Sequence, residues 1–240
     1  MNSALAESFR YSRIGQGLPR PVEAALAFVG LTLSAPVIGL LALAVKVSSP
    51  GGVFFKQHRA GKNGKSFILI KLRTMKASEP GPHVTERADS RVTRVGRFLR
   101  MTKLDELPEL WNVLRGDMSL VGPRPEVPCF VDLRDVRWQT VLRARPGLTD
   151  PVTLRLRNEE HLLSEVGGDL ECFYRDALLP VKLSGYIDYL ESRSWKRDVE
   201  VILKTAVSIA WPSRTPPPTV AQIRLEAKAL TQPDSTEANR

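Results

Sequence analysis

The chain has 240 residues, with 35 lysines and arginines against 26 acidic residues and a formal net charge of +9. That length supports one globular domain with a real core and an appendage. The positive balance points to an anionic partner: nucleic acid, an anionic membrane surface or phosphorylated substrates. The two cysteines, Cys129 and Cys172, stand far apart without Cys-x-x-Cys spacing, and the three histidines, His58, His83 and His161, lack metal-ligand spacing. A disulfide framework and a zinc site are therefore excluded, and a reducing compartment fits.

Residues 1–21 form a basic N-terminal segment, and residues 24–45, AALAFVGLTLSAPVIGLLALAV, follow without a charge. As a helix this run reaches about 33 Å, roughly a bilayer core. It is too long and starts too late for a cleaved signal peptide. Pro36, in Ser34-Ala35-Pro36, removes a helical hydrogen bond and clashes with the preceding turn, so a kink or break is expected there. Ser34 can satisfy a freed carbonyl. Both flanks are basic: Arg10, Arg13 and Arg20 before, Lys46, Lys56, Arg59, Lys62 and Lys65 after. Positive residues mark the cytoplasmic side. A re-entrant helix over 22–47, bent near Pro36 and returning to the same face, satisfies both flanks. An ordinary kinked transmembrane helix is the alternative. A buried helix of a soluble protein fits worse, because nearly every face is apolar.

The cytoplasmic domain is expected over 48–211. VFFKQHR (53–59) and SFILIKLRTM (66–75) are rich in β-branched and aromatic residues and flank an Asn-Gly, which predicts a hairpin. The proline- and glycine-containing loop 76–90 should be exposed. RVTRVGRFLRMTK places Val92, Val95, Phe98 and Leu99 at helical spacing, with Arg91, Arg94, Arg97 and Arg100 on another face.

MTKLDELPELWNVLRGDMSLVGPRPE, residues 101–126, is the densest stretch. Leu104, Leu107, Trp111 and Leu114 predict an amphipathic helix over 103–115 ending at Gly116, with Thr102 as N-cap and Asp105 as its capping-box partner. Pro108 argues that the helix begins nearer itself or is distorted one turn in. Capping explains Asp105 but not Glu106, since adjacent helical residues point about 100° apart. At a helix start both carboxylates stay ionised. They suit Mg²⁺ with phosphate oxygens completing its shell, and a carboxylate can attack phosphorus to form an acyl-phosphate. The forked guanidinium suits a diphosphate. Arg100, Arg124 and Arg145 each lie beside a turn or helix end, with Pro123, Pro125 and Pro146 stiffening two of those loops.

Residues 171–211 read as largely helical with a break at Pro180. Their last piece, RDVEVILKTAVSIAW, suits a core helix or one lying on a membrane surface. Residues 212–240 read as a disordered tail with a short helix near 220–230. The fold class is α/β, mostly helical with a small β-hairpin, and there is no internal repeat.

VFFKQHRAGKNGKSFILIKLRTM, RVTRVGRFLRMTKLDELPELWNVLRGDMSLVGPRPE and RARPGLTD together resemble the bacterial sugar transferases, the monotopic polyprenyl-phosphate phosphoglycosyltransferases, over roughly residues 20–210. That family anchors by a re-entrant helix with a Ser-Pro kink, and here an alanine is inserted between Ser34 and Pro36. The resemblance implies that Asp105 attacks the β-phosphate of a UDP-sugar and expels UMP, and that the phosphosugar then passes to a polyprenyl phosphate. It implies that Glu106 deprotonates or positions the acceptor, that Mg²⁺ is held near Asp105, and that Arg100, Arg124 and Arg145, with Lys71 and Arg73 as weaker candidates, contact phosphate. It also implies a place at the bacterial inner membrane, with the catalytic domain on the cytoplasmic face, starting a surface glycan or exopolysaccharide. A homo-oligomer is left open. After Thr149 the chain departs from the commonest pattern with DPVTLRLRNEE. There Arg155, Arg157, Glu159 and Glu160 either line a sugar pocket or form a charged helix start.

Two other classes fit the residues less well. A non-catalytic, membrane-docked sugar-nucleotide-binding partner would need the arginines but not the intact carboxylate dyad. A nucleic-acid binder fits the charge but not the apolar segment, and no nucleic-acid motif is present, so no nucleic acid is expected as partner.

Overall fold

An uncharged run of this length satisfies its backbone by coiling into a helix, and in the computed structural model, which describes residues 14–76, 89–211 and 217–231, it does. Helix α1, Arg20–Ser48, is 29 residues long, or about 43 Å. It runs through Pro36 without stopping, which corrects the expected break in the helix. Proline deletes a single backbone bond, the one to the Thr32 carbonyl, and Ser34 does not replace it. Ser34 Oγ donates to the Leu31 carbonyl at 3.3 Å and Thr32 Oγ1 to that of Phe28 at 2.9 Å.

Most of α1 faces outward, with Phe28, Leu33, Leu40, Leu43 and Val47 all exposed. Only Glu23, Ala27 and Val45 are buried. The same globular domain grips both ends. Arg20 donates to the carbonyls of Val113, Leu114 and Met118, and Glu23 Oε1 accepts from the Leu120 amide at 3.1 Å. At the far end Val45 joins Leu72 and Leu99 in an apolar cluster.

Strands β1, Phe54–Ala60, and β2, Ser66–Leu72, form the predicted antiparallel hairpin, with Phe54 opposite Leu72 and Ala60 opposite Ser66. Its turn takes Asn63 and Gly64 to φ of 57° and 74°, which explains the Asn-Gly. Most of the loop 76–90 lies outside the described residues.

Helix α2, Arg94–Thr102, is capped by Thr93, whose hydroxyl accepts from the Gly96 amide at 2.9 Å. It ends at Lys103, in the left-handed region with φ 58°. Thr102 therefore closes α2 and does not cap the next helix. Its hydroxyl donates back to the carbonyls of Phe98 and Leu99. The predicted helix over 103–115 is two pieces, a 3-10 turn at Leu104–Glu106 and helix α3 at Glu109–Arg115, with Pro108 just before α3. Proline lacks the N–H that a continuous helix would need there, so the later of the two predicted starts is the one adopted.

Strand β3, Ser119–Val121, pairs in parallel with β4, Gly147–Thr149. Helix α4, Val136–Val141, lies between them in sequence. An ideal Cβ on Gly147 would stand 2.1 Å from the Gly122 nitrogen, so only glycine permits this approach. Helix α5, Pro151–Arg155, is capped by Asp150, and α6, Glu159–Ser164, follows. Helix α7, Leu170–Phe173, leads through a π-turn at Tyr174–Leu178 into α8, Leu179–Glu191. The break expected at Pro180 is this wide turn, which leaves Pro180 in the first turn of α8 where an N–H is dispensable.

Helix α9, Trp195–Ala210, exposes Trp195, Val199, Leu203 and Val207 at four-residue spacing. Helix α10, Val220–Thr231, is the short helix expected in the tail. It buries Ile223 and Ala227, and Arg155 grips Glu226 at 2.9 and 2.6 Å. Residues 212–216 and 232–240 lie outside the described set. The main core has two parts, one around α4, α8 and the π-turn, the other around α1, α3, β3 and α9.

Candidate active site

The turn Leu104–Glu106 presents the two carboxylates in opposite circumstances. Asp105 is 7% exposed, and its Oδ1 is buried without a hydrogen-bond partner. Burial, then the neighbouring Glu106, raises its pKa despite Lys71, Lys103 and Arg100. Glu106 is tied down. Its Oε1 accepts from Lys71 Nζ at 2.8 Å and also from Arg124. Burial alone would raise its pKa, but Arg124, Lys71 and Lys103 outweigh burial and hold it well below the usual carboxylate range. Neighbours pushed in opposite directions point to separate tasks.

Lys71, on β2, also pairs with Glu109 Oε1 at 3.1 Å. Glu109 is 1% exposed and opens α3. Sequence reasoning passed over it, although a glutamate after proline at a helix start was the available sign. Arg124 is placed by the Gly-Pro-Arg-Pro loop, which the Gly122–Gly147 contact holds against the loop of Arg145. The Glu106 charge raises the Arg124 pKa further, so its positive charge is permanent.

The remaining predicted phosphate ligands are placed less uniformly. Arg100 Nε donates to Thr74 Oγ1 at 2.9 Å, and its Nη1 pairs with Glu160 at 2.9 Å. Arg73 points into the hairpin base, donating to the carbonyls of Ser49 and Pro50. Arg145 is half-buried, off the cavity wall, and among the described residues it has no carboxylate partner. Ser34 and Pro36 sit at the exposed middle of α1.

Glu106 and Arg124 open onto a cavity of about 590 Å³ between the two parts of the core, and Asp105, Lys71 and Arg100 are not on its wall. One wall is apolar and comes from α1, α3 and α9, with Leu26, Leu110, Ile202 and Ile209. Another carries Arg59, Glu126, Tyr174, Lys182 and Tyr186, none of which was singled out in sequence as a site residue. A lone lysine in the apolar run LLPVKLSGY was the signal for Lys182. Of the four residues left open after Thr149, Arg157, Glu159 and Glu160 line the cavity, and Arg155 instead holds α10.

Among the described residues no three histidine, cysteine or acidic side chains gather as a metal cage. Mg²⁺ does not need one, because it commonly takes one or two carboxylates and fills its shell with waters and substrate phosphates. The unpartnered Asp105 Oδ1 is a donor of that kind, while Glu106 is committed to Lys71 and Arg124.

A buried carboxylate, fixed cations beside it and an apolar helix along the adjoining cavity suit group transfer between a polar and a lipidic substrate. The comparisons agree. The family described as bacterial sugar transferase matches residues 15–211. The UDP-glucose:undecaprenyl-phosphate glucose-1-phosphate transferase of Caulobacter vibrioides is 40% identical over 196 residues, 79% of this chain and 68% of that protein. The Escherichia coli K12 protein of the same name is 50% identical over 143 residues, 58% of this chain but only 31% of its own length. Exopolysaccharide production protein ExoY of Rhizobium meliloti is 38% identical over 177 residues, 66% of this chain and 77% of that one. With the match covering the hairpin, the carboxylate turn, the Gly-Pro-Arg-Pro loop and α9, this chain belongs to the bacterial sugar transferase family and is a transferase.

Proposed function

We propose that the protein transfers a sugar 1-phosphate from a UDP-sugar to undecaprenyl or a similar polyprenyl phosphate, starting a surface glycan or exopolysaccharide at the bacterial inner membrane. The observation that carries this reading is the buried, unpartnered Asp105 oxygen next to a Glu106 that is neutralised by Lys71 and Arg124 and opens onto a cavity walled partly by α1. The named substrates of the relatives support it.

In this reading an Asp105 oxygen attacks the β-phosphorus of the donor. The bond from that phosphorus to the bridging oxygen breaks, and UMP leaves with the electron pair. A polyprenyl-phosphate oxygen then attacks the same phosphorus, the Asp105–phosphorus bond breaks, and the carboxylate returns with a polyprenyl-diphosphate sugar as product. A raised Asp105 pKa makes a better nucleophile once ionised. Glu106, held ionised at the pH of the cell, is a poor general base. Its task is to fix Lys71 and Arg124, and with them the phosphates. Bound Mg²⁺, held by Asp105 and substrate phosphates, would supply charge neutralisation on the diphosphate.

The membrane arrangement follows the same logic. The domain contacts Glu23 and Val45, 22 residues apart and so about 33 Å along α1. A straight span would separate those positions by roughly a bilayer core, with the same polar domain at both. Both ends on the cytoplasmic face, with the outward apolar surface of α1 in the lipid, avoids burying that domain. The stripe on α9 would rest in the same interface.

The test is UMP release from a panel of UDP-sugars with polyprenyl phosphate and Mg²⁺, together with trapping of labelled phosphosugar on Asp105 when acceptor is withheld. Donor bound tightly without turnover would favour the non-catalytic binding partner instead. A cysteine placed near Ser3 that reacts only from outside the cell would overturn the topology.

A further inference from the structure

The cavity holds a second polar cluster that the transfer chemistry does not use. Lys182 Nζ donates to the Tyr174 hydroxyl at 2.8 Å and Glu126 Oε1 at 2.9 Å, and reaches Glu159 Oε2 at 3.4 Å, so its three protons are all committed. The Tyr174 hydroxyl donates to the same Glu126 oxygen. Arg59 donates to the Pro125 carbonyl at 3.0 Å beside them. One turn along α8, Tyr186 is 0% exposed and lies on the cavity wall, yet its hydroxyl has no partner. Buried hydroxyls almost always have one. This one lies in the cavity wall, closed to a water-sized probe, so a visitor to the cavity supplies its partner only as the wall yields.

The position limits what that visitor is. Glu126 is two residues beyond Arg124, within about 7 Å along the chain. A group joined to a phosphate on Arg124 is therefore a candidate to reach this cluster along the same wall. The chemistry narrows the choice further. With the Lys182 protons spent inside the cluster, its carboxylates accept, Arg59 donates, and the unpartnered Tyr186 phenol does both. A hexopyranose, whose hydroxyls each donate and accept, matches such a set. An isoprenoid chain satisfies none of it, and uracil brings one N–H and two carbonyls.

We propose that Tyr186 is a specificity-determining contact to a hydroxyl of the donor hexose, in a subsite it shares with Lys182, Glu126, Tyr174 and Glu159. This rests on the sugar-nucleotide reading above and adds to it which wall holds the sugar. Lys182, Glu126 and Tyr174 stiffen the subsite, Glu159 accepts from sugar hydroxyls, and Tyr186 reads one of them.

The experiment uses the full chain in lipid nanodiscs. UMP formation is measured for wild type and Tyr186→Phe with the best UDP-hexose and its singly deoxygenated analogues, and UDP is titrated as a competitive inhibitor. Phenylalanine keeps the ring and removes only the unpaired hydroxyl, so the melting temperature should hold. We expect kcat/KM for the parent donor to fall about 10- to 100-fold. One deoxy analogue should lose as much with wild type but nothing further with Tyr186→Phe, and UDP inhibition should not change. Should Tyr186→Phe fail to fold, Glu159→Gln is put through the same comparison. An unchanged kcat/KM, or an equal loss for every analogue together with weaker UDP inhibition, overturns the subsite while leaving the transferase reading standing. No UMP from any donor overturns the transferase reading and the subsite with it.

Discussion

Asp105→Asn should separate activity from stability in opposite directions. The wild-type carboxylate is buried, with one oxygen unpartnered and the Glu106 charge adjacent, and both burial and that charge raise its pKa. A raised folded-state pKa means that Asp105 favours folding most below its unfolded pKa, and that this contribution is lost as pH rises through the folded value. At neutral pH its charge is therefore a net cost to the fold. Asparagine keeps the shape and removes the charge. We expect a gain of about 1 kcal/mol at neutral pH, the order of one badly satisfied buried oxygen, or about 2–4 °C in melting temperature for a chain of this size. The gain should shrink as pH falls and Asp105 itself becomes neutral. Loss of the nucleophile should cut transfer by roughly 10³-fold or more. The assays are thermal unfolding across pH in one detergent and UMP release. A less stable Asp105→Asn at neutral pH would refute the electrostatic reasoning, and near-wild-type turnover would refute the nucleophile.

Three further variants probe the support of the site. Lys71→Met strands Glu106 and Glu109 without their shared cation; it should cost about 3 kcal/mol in denaturant unfolding, and Glu109→Gln added to it should recover part of that loss. Arg73→Lys cannot reproduce the fork on the Ser49 and Pro50 carbonyls, so it should lower stability by about 1–2 kcal/mol with the donor KM unchanged; a raised KM at unchanged stability would return Arg73 to the phosphate ligands. Gly147→Ala puts a Cβ 2.1 Å from the Gly122 nitrogen, and should cost about 2–3 kcal/mol and lower kcat by displacing Arg124, which unfolding curves and UMP kinetics check together.

Local signals were read well where one residue type has one physical use. Asn-Gly between β-rich runs is a hairpin because few other residues take φ above zero in succession. An uncharged run of bilayer length is a helix with an outward apolar face. The carboxylate turn was harder. Apolar spacing suggested one helix over 103–115, but Pro108 and the left-handed Lys103 divide it. Periodicity reports which side is apolar and not whether the backbone bonds are continuous. Arg73 and Arg124 carry the same guanidinium, yet one holds two backbone carbonyls and the other the Glu106 carboxylate.

What the sequence determined by itself is local: the apolar anchor, the hairpin, the adjacent carboxylates and the stiff Gly-Pro-Arg-Pro. Each follows from backbone preferences and side-chain chemistry within a few residues. The tertiary structure decided which charges meet. Lys71 and Glu106 are 35 positions apart, and Glu126 and Lys182 are 56 apart. Coulomb energies depend on distance and on burial, and chain order sets neither. Only folding makes Asp105 a free, costly carboxylate, makes Glu106 a fixed anion, and places an unremarked Tyr186 in the cavity wall.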